Sequence, residues 1–231
     1  MTEVDEIMKA RKPISRTDNV AQLLREDILQ GNLMSGQALI EAQMVERFDV
    51  SRNTAREAMH SLAHAGLVVI IPHRGTFVRS FSQSEIRELF VIRRLIECGC
   101  VRSAEPRVWS DLQAVFRATF AQAASAQRGR DWRIVGTSSL LFHRLLVGTS
   151  GSDQMTAFFD NICAQMRLAL QVVKDEAAMQ SPWLEQDMKI FEALLGGECE
   201  KAEEMLMDYL YKSEKLLLDL MVQQNTVKRV L

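Results

Sequence analysis

The hairpin signal at residues 67–79 constrains this chain most, because no strand signal follows it. Leu67-Val68-Val69-Ile70-Ile71 is a continuous apolar run, Pro72-His73-Arg74-Gly75 supplies a turn with a basic tip, and Thr76-Phe77-Val78-Arg79 completes the pattern. Two short β-branched and aromatic runs about a Gly-containing turn predict a β-hairpin. Helical periodicity dominates the rest of the sequence. With only 4 prolines and 11 glycines in 231 residues, the composition favours a mainly α protein, and the length favours two domains of unequal size.

Upstream of the hairpin, Val20, Leu23, Leu24, Ile28 and Leu29 form the stripe of an amphipathic helix, with Asp18 or Asn19 placed to cap it and Gly31-Asn32 to end it. Residues 1–18, including Lys9, Arg11, Lys12, Pro13 and Arg16, sustain no apolar period and are expected to form a mobile arm. A turn at Met34-Ser35-Gly36-Gln37 and the pair Leu39-Ile40 lead to a second helical stretch with Met44, Val45 and Phe48. After a tight connection at Asp49, a third helix follows over residues 52–62, with Ala55, Ala58, Met59 and Leu62 facing inward. Two helices joined by so short a turn predict a helix-turn-helix. The hairpin behind it makes this a winged helix-turn-helix over residues 19–80.

A short polar connector at residues 80–84 precedes a second domain over residues 85–225. Its periodicity predicts helices at 85–104, 110–127, 132–148, 153–174, 184–196 and 201–224, broken at Gly129, Gly151, Pro182 and Gly196-Gly197. That is an all-α antiparallel bundle, whose interior is a common place for a ligand site. Cys98, Cys100, Cys163 and Cys199 lack the paired spacing of a zinc ribbon and read as buried, reduced thiols. The start of the chain has no apolar signal segment, and no stretch reaches a membrane span, so a cytoplasmic protein with no membrane partner is expected.

The net charge of −2 excludes a wholesale polyanion coat, so any nucleic-acid contact must use locally placed cations. In a helix-turn-helix the second helix presents its first residues to base edges in the major groove. Here those residues are Ser51, Arg52, Asn53, Thr54 and Arg56. Arginine can bond two acceptors of guanine and asparagine can do the same for adenine, so Arg52 and Asn53 are candidate base readers. Ser51 and Thr54 suit phosphate oxygens, and Arg56, one turn beyond Arg52, suits a phosphate or a second base. At the wing tip, His73, Arg74 and Gly75 offer a positive point that can approach the minor groove closely. His60 and His64 read as surface or packing residues.

Phe48-Asp49-Val50-Ser51-Arg52, Arg56-Glu57-Ala58, Leu62, Ala65-Gly66-Leu67 and Gly75-Thr76-Phe77-Val78 together resemble the signature of the GntR family of transcription regulators. One departure is Ala42, where members often carry a DNA-contacting arginine. The second domain resembles the all-helical effector domain (FCD domain) of the FadR-type branch, through Val91-Ile92-Arg93-Arg94-Leu95-Ile96-Glu97, Phe142-His143, Ile190, Ala193-Leu194 and Ala202.

The resemblance implies a homodimeric, ligand-responsive regulator that binds operator DNA, usually as a repressor, and not an enzyme. It also implies a divalent metal held by one Asp and three His, but the four matching positions here are Ser139, His143, Asp187 and Tyr209. Hydroxyl and phenol groups are poor ligands, so a tight metal site is expected to be lost, with His143 and Asp187 left as a weak residual site. These four residues, with Arg93, are the expected effector pocket for a small carboxylate. Two structural roles compete with it: His143 pairing with Asp187 inside the bundle, and Arg93 pairing with Glu97 one turn along. A dimeric DNA binder that answers to no effector is the alternative, and a hydrolase using His143 and Asp187 is disfavoured because no nucleophile or phosphate-loop motif accompanies them.

Overall fold

The computed structural model describes residues 15–230. Helix α1 spans Arg16–Leu29, and its cap is Ser15, whose hydroxyl accepts from the Asp18 N–H at 3.0 Å. Asp18, expected as a cap, instead lies in the first turn, where a carboxylate favours the positive end of the helix dipole. Residues 16–18, expected in the arm, therefore belong to α1, while the arm's residues 1–14 lie outside the described residues.

Helices α2 (Glu41–Phe48) and α3 (Arg52–His64) are joined through Asp49, whose backbone is left-handed at φ 48°. The inward residues Ala55, Ala58, Met59 and Leu62 are buried, and α3 packs on α1 through Val20, Leu24 and Ile28. Strand β1 (Ala38–Leu39) pairs with β3 (Gly75–Val78), which pairs in turn with β2 (Val68–Ile71), all antiparallel. The turn enters β3 with Gly75 at φ +105°, a conformation that strains any residue with a Cβ. Ile40, read with Leu39 as an apolar pair, lies outside the sheet and caps α2.

The helical domain comprises α4 (Gln83–Ser103), α5 (Pro106–Asp111), α6 (Gln113–Arg128), α7 (Trp132–Gly148), α8 (Asp153–Leu170), α9 (Glu176–Gln180), α10 (Trp183–Leu195) and α11 (Cys199–Val230). Ser82 and Glu85 form a capping box that starts α4 two residues earlier than the periodicity suggests. The stretch predicted as one helix over 153–174 ends at Leu170, and α9 follows as a separate short helix. Phe116 ties α6 to α10 and α7, stacking on Phe191 at 4.3 Å and meeting Phe142 edge-on at 5.8 Å.

Cys98, Cys100 and Cys163 are buried free thiols; Cys199 is only half-buried, contrary to expectation. Burial, foremost, pushes the Cys98 thiol up to about 12, so it is inert as a nucleophile. Among the described residues no helix is long and apolar enough to cross a membrane.

The two domains meet along α7 and α8. Thr137 donates to the Leu29 carbonyl at 3.0 Å, and Arg133 to Asn32 Oδ1 at 3.0 Å. From α8, Gln165 donates to the Ala65 carbonyl at 2.8 Å. Just past that helix, Gln171 accepts from the Ser35 N–H at 2.9 Å and donates to the Leu33 carbonyl at 3.1 Å.

Candidate functional site

Two surfaces carry the expected functional side chains. On the first, Ser51 caps α3: its hydroxyl accepts from the Thr54 N–H at 3.1 Å and lies 2.9 Å from the Thr54 hydroxyl. The cap fixes the first turn of α3, in which Arg52 and Asn53 are exposed. Asn53 donates to Glu57 Oε1 at 2.9 Å, and Arg56 pairs with Glu41 of α2 at 2.6 Å. Arg56 is thus tied to the neighbouring helix, a partner that sequence spacing does not reveal. His73, Arg74 and Gly75 are exposed at the wing tip, with His73 at φ 61° in the turn.

The second surface is internal. Arg93, Ser139, His143 and Tyr209, from α4, α7 and α11, line one small enclosed chamber with Gly136, Met179, Gln180 and Ser213. Asp187 of α10 lines a tighter recess that adjoins it through Ser139 and Gln180. The chamber encloses about 20 Å³ of free space, room for one water.

Bonded to two of its lining residues, the fully buried Glu97 accepts from Arg93 Nε at 2.7 Å and from His143 Nδ1 at 2.6 Å. Ser139 and Tyr209 share a hydroxyl–hydroxyl bond of 3.2 Å. Three buried polar atoms in this group have no hydrogen-bond partner: Arg93 Nη2, His143 Nε2 and Asp187 Oδ1.

The profile of the bacterial regulatory proteins of the gntR family matches residues 16–78, and that of the FCD domain matches residues 88–212. The chain is a GntR-family transcription regulator with an FCD effector domain. Over 207 residues, 90% of each chain, it is 25% identical to the HTH-type transcriptional repressor RspR of Escherichia coli strain K12. It is 24% identical to the HTH-type transcriptional regulator LutR of Bacillus subtilis strain 168 over 221 residues, 82% of this chain and 95% of LutR. Its fold matches the crystal structure of a GntR transcriptional regulator from Rhodococcus sp. RHA1 with TM-score 0.82 and 32% identity, covering 88% of this chain and 98% of that one. These relatives are regulators and not enzymes.

The internal charges of this GntR regulator are set by burial. Desolvation alone would raise the Glu97 carboxyl, but Arg93 and His143 outweigh it and hold Glu97 below its ordinary range. Desolvation lowers His143, with Glu97 opposing, so the imidazole is neutral near pH 7. Because Glu97 takes the Nδ1 proton as acceptor, Nε2 carries the bare lone pair. Burial raises Asp187 well above the carboxylate range and Tyr209 well above the phenol range.

The pairing of His143 with Asp187 expected from sequence is not a hydrogen bond. Nε2 and Oδ1 stand 3.9 Å apart, and both groups favour their neutral forms. Arg93 does form the ion pair with Glu97, through Nε, while Nη2 is left over.

A divalent metal does not fit this donor set tightly. Among the described residues no group of three His, Cys, Asp or Glu could hold one, and a phenol held protonated by burial is no ligand. Only His143 and Asp187 remain as ligand types.

Asp187 also predicts a pH effect. Its folded pKa is raised, so its contribution to stability is fully present below the unfolded value of 3.8 and is lost as pH rises toward the folded value. Asp187→Asn does not titrate. Its melting temperature, measured against the parent, is expected to gain steadily as pH rises above about 4. A gap independent of pH would mean that Asp187 ionises freely.

Sequence reasoning missed Glu97 as the hub, along with Gln180 and Ser213. Glu97 was visible only as the partner of Arg93; its bond to His143 spans 46 residues and leaves no local pattern.

Proposed function

We propose that this regulator is a homodimeric repressor whose operator affinity is set by a small carboxylic acid, one carrying a hydroxyl group, bound in the FCD chamber. The observation that carries this reading is the set of three unpaired buried atoms. Leaving such groups unsatisfied costs about 1–3 kcal/mol each, so a ligand that pairs them recovers that free energy. Arg93 Nη2 is a charged donor suited to a carboxylate, and His143 Nε2 is an acceptor suited to a hydroxyl. Tyr209, Ser139 and protonated Asp187 add neutral hydrogen bonds.

An acid of several carbons exceeds the free space of about 20 Å³, so binding must displace helices that line the chamber, of which α7 supplies Gly136, Ser139 and His143. The ligand then favours a widened arrangement over the closed one, which is the differential affinity that a switch requires. On the DNA side, residues 19–80 carry the contacts: Arg52 and Asn53 to base edges, Ser51, Thr54 and Arg56 to phosphates, and His73, Arg74 and Gly75 to the minor groove. Two copies would place two such helices on a pseudo-palindromic operator in the cytoplasm.

The test is a thermal scan of chelator-treated protein with a panel of small hydroxy acids, each with and without Zn²⁺ or Ni²⁺. Ligands of the folded state raise the midpoint by mass action. Stabilisation by an acid without metal is expected; stabilisation only with metal would restore the ancestral metal site, and none at all would favour an effector-independent DNA binder.

Tyr209→Phe keeps the ring, which packs edge-on against Trp183 at 4.9 Å, and removes only the hydroxyl. The variant is expected to melt within a few degrees of the parent while losing about 2- to 13-fold in acid affinity, the worth of one hydrogen bond of about 0.5–1.5 kcal/mol. Unchanged affinity for the acid would take Tyr209 out of the site.

A further inference from the structure

Arg167 of α8 is 3% exposed, and its Nε has no hydrogen-bond partner. Glu176 and Asp131 attract this guanidinium and Arg133 repels it, but burial dominates its environment. Its two ends touch different domains. A Cβ at Gly31, in the turn after α1 of the winged helix, would lie 2.7 Å from Nη2. A Cβ at Gly136 of α7 would lie 2.9 Å from Nη1 and 2.8 Å from Gln180 Nε2. Gly136 and Gln180 both line the chamber.

A Cβ at either glycine would therefore force the guanidinium to shift, and this one planar group, flanked by Arg133 at Gly31 and by Gln180 at Gly136, reaches from the chamber wall to the DNA-binding domain. We propose that Arg167 relays the state of the chamber to the winged helix, carrying displacement of α7 at Gly136 to the turn at Gly31. The relay rests on the reading of the chamber as the effector site, and names the residue through which that site acts. The bonds from Thr137 and Arg133 to Leu29 and Asn32 hold the same turn to α7, so a shift of α7 reaches it along its outer face as well. Arg167 differs in contacting the chamber wall itself, which makes it a positioning residue and not an effector ligand.

The relay can be tested without any effector, by a double-mutant cycle on the full chain. The probe is a DNA duplex selected from a random pool by the parent protein. Gly136→Ala adds the methyl that displaces Arg167, and is expected to change duplex affinity at least fivefold. In Arg167→Met, where a flexible thioether replaces the planar group, the same alanine is expected to change affinity less than twofold. Equal effects in both backgrounds, or none in either, would overturn the relay; so would relief by Gln180→Ala in place of Arg167→Met.

If Gly136→Ala fails to fold, amide exchange of Arg167→Met decides. The N–H groups of Asn32 and Leu33, which donate to the Asp27 carbonyl at 2.7 and 3.2 Å, are expected to exchange at least tenfold faster, and unchanged exchange overturns the proposal. Failure of every acid in the thermal scans would remove the effector reading and leave this cycle standing, whereas an acid that binds alongside an additive cycle would remove only the relay.

Discussion

Glu97→Ala is expected to lower the unfolding free energy by about 3–5 kcal/mol, the usual cost of stripping one partner from a buried ion pair. Glu97 and Arg93 are 0% and 4% exposed at their side chains, so bulk solvent does not reach the guanidinium that loses its carboxylate. The variant leaves the Arg93 guanidinium charged in the interior and His143 Nδ1 without its acceptor. Urea unfolding would measure the loss. The double variant Glu97→Leu with Arg93→Met is expected to regain most of it, because the penalty lies in the orphaned charge and not in the absence of the pair.

The pH dependence has a definite sign. Glu97 is held below its unfolded value of 4.5, so its contribution is present above that pH and is lost as pH falls toward the folded value. A Glu97→Ala protein within about 1 kcal/mol of the parent at pH 7 would mean that Arg93 finds another counter-ion.

On the DNA-binding face, Arg52→Ala is expected to weaken binding to a selected duplex by about 1–3 kcal/mol, roughly 5- to 150-fold, and to relax the preference at one base position. Arg52 opens α3 and is exposed, while Asn53 is engaged by Glu57 and Arg56 by Glu41. Arg56 must break a 2.6 Å ion pair before reaching DNA, so Arg56→Ala is expected to cost less. Fluorescence anisotropy with the selected and a scrambled duplex separates the two roles. Equal weakening on both duplexes would make Arg52 a phosphate contact.

The DNA-binding domain of this regulator is legible because its signals are local. Met44, Ala55, Ala58 and Leu62 fall at helical steps, and the β-branched and aromatic runs about the turn at Pro72-His73-Arg74 form strands that pair in register from Val68↔Val78 to Ile71↔Gly75. The short helices α5 and α9 went unread since 6 and 5 residues cannot display a 3.6-residue period. Ser15 gives no cap signal in the sequence, because none of residues 16–19 is buried and Val20 begins the buried stripe of α1. Periodicity alone reveals nothing of the chamber: Ser139 and His143 share a face of α7, but Asp187 and Tyr209 reach it from other helices, and resemblance brought the four together. What resemblance left out, the Glu97 hub and the Arg167 bridge, depends on contacts between distant segments.

Between the wing and α4 the chain has few residues to spare, and they are fastened. Arg79 pairs with Glu85 at 2.5 Å, and Ser35 bonds both the Arg79 carbonyl and the Ser80 hydroxyl while its own N–H is held by Gln171. Phe81 is buried, and Glu85 is drawn down to about 2 by the Ser82 hydroxyl and N–H and then by Arg79. The reading head is therefore bolted to the helical body and does not swing from it as on a tether. In a dimer, the gap between two half-sites becomes a dimension of the body, much as the track of a vehicle is fixed by its axle. Grafting this winged helix onto another regulator's body would carry along its base preference, while the number of base pairs between half-sites would stay with the body that received it.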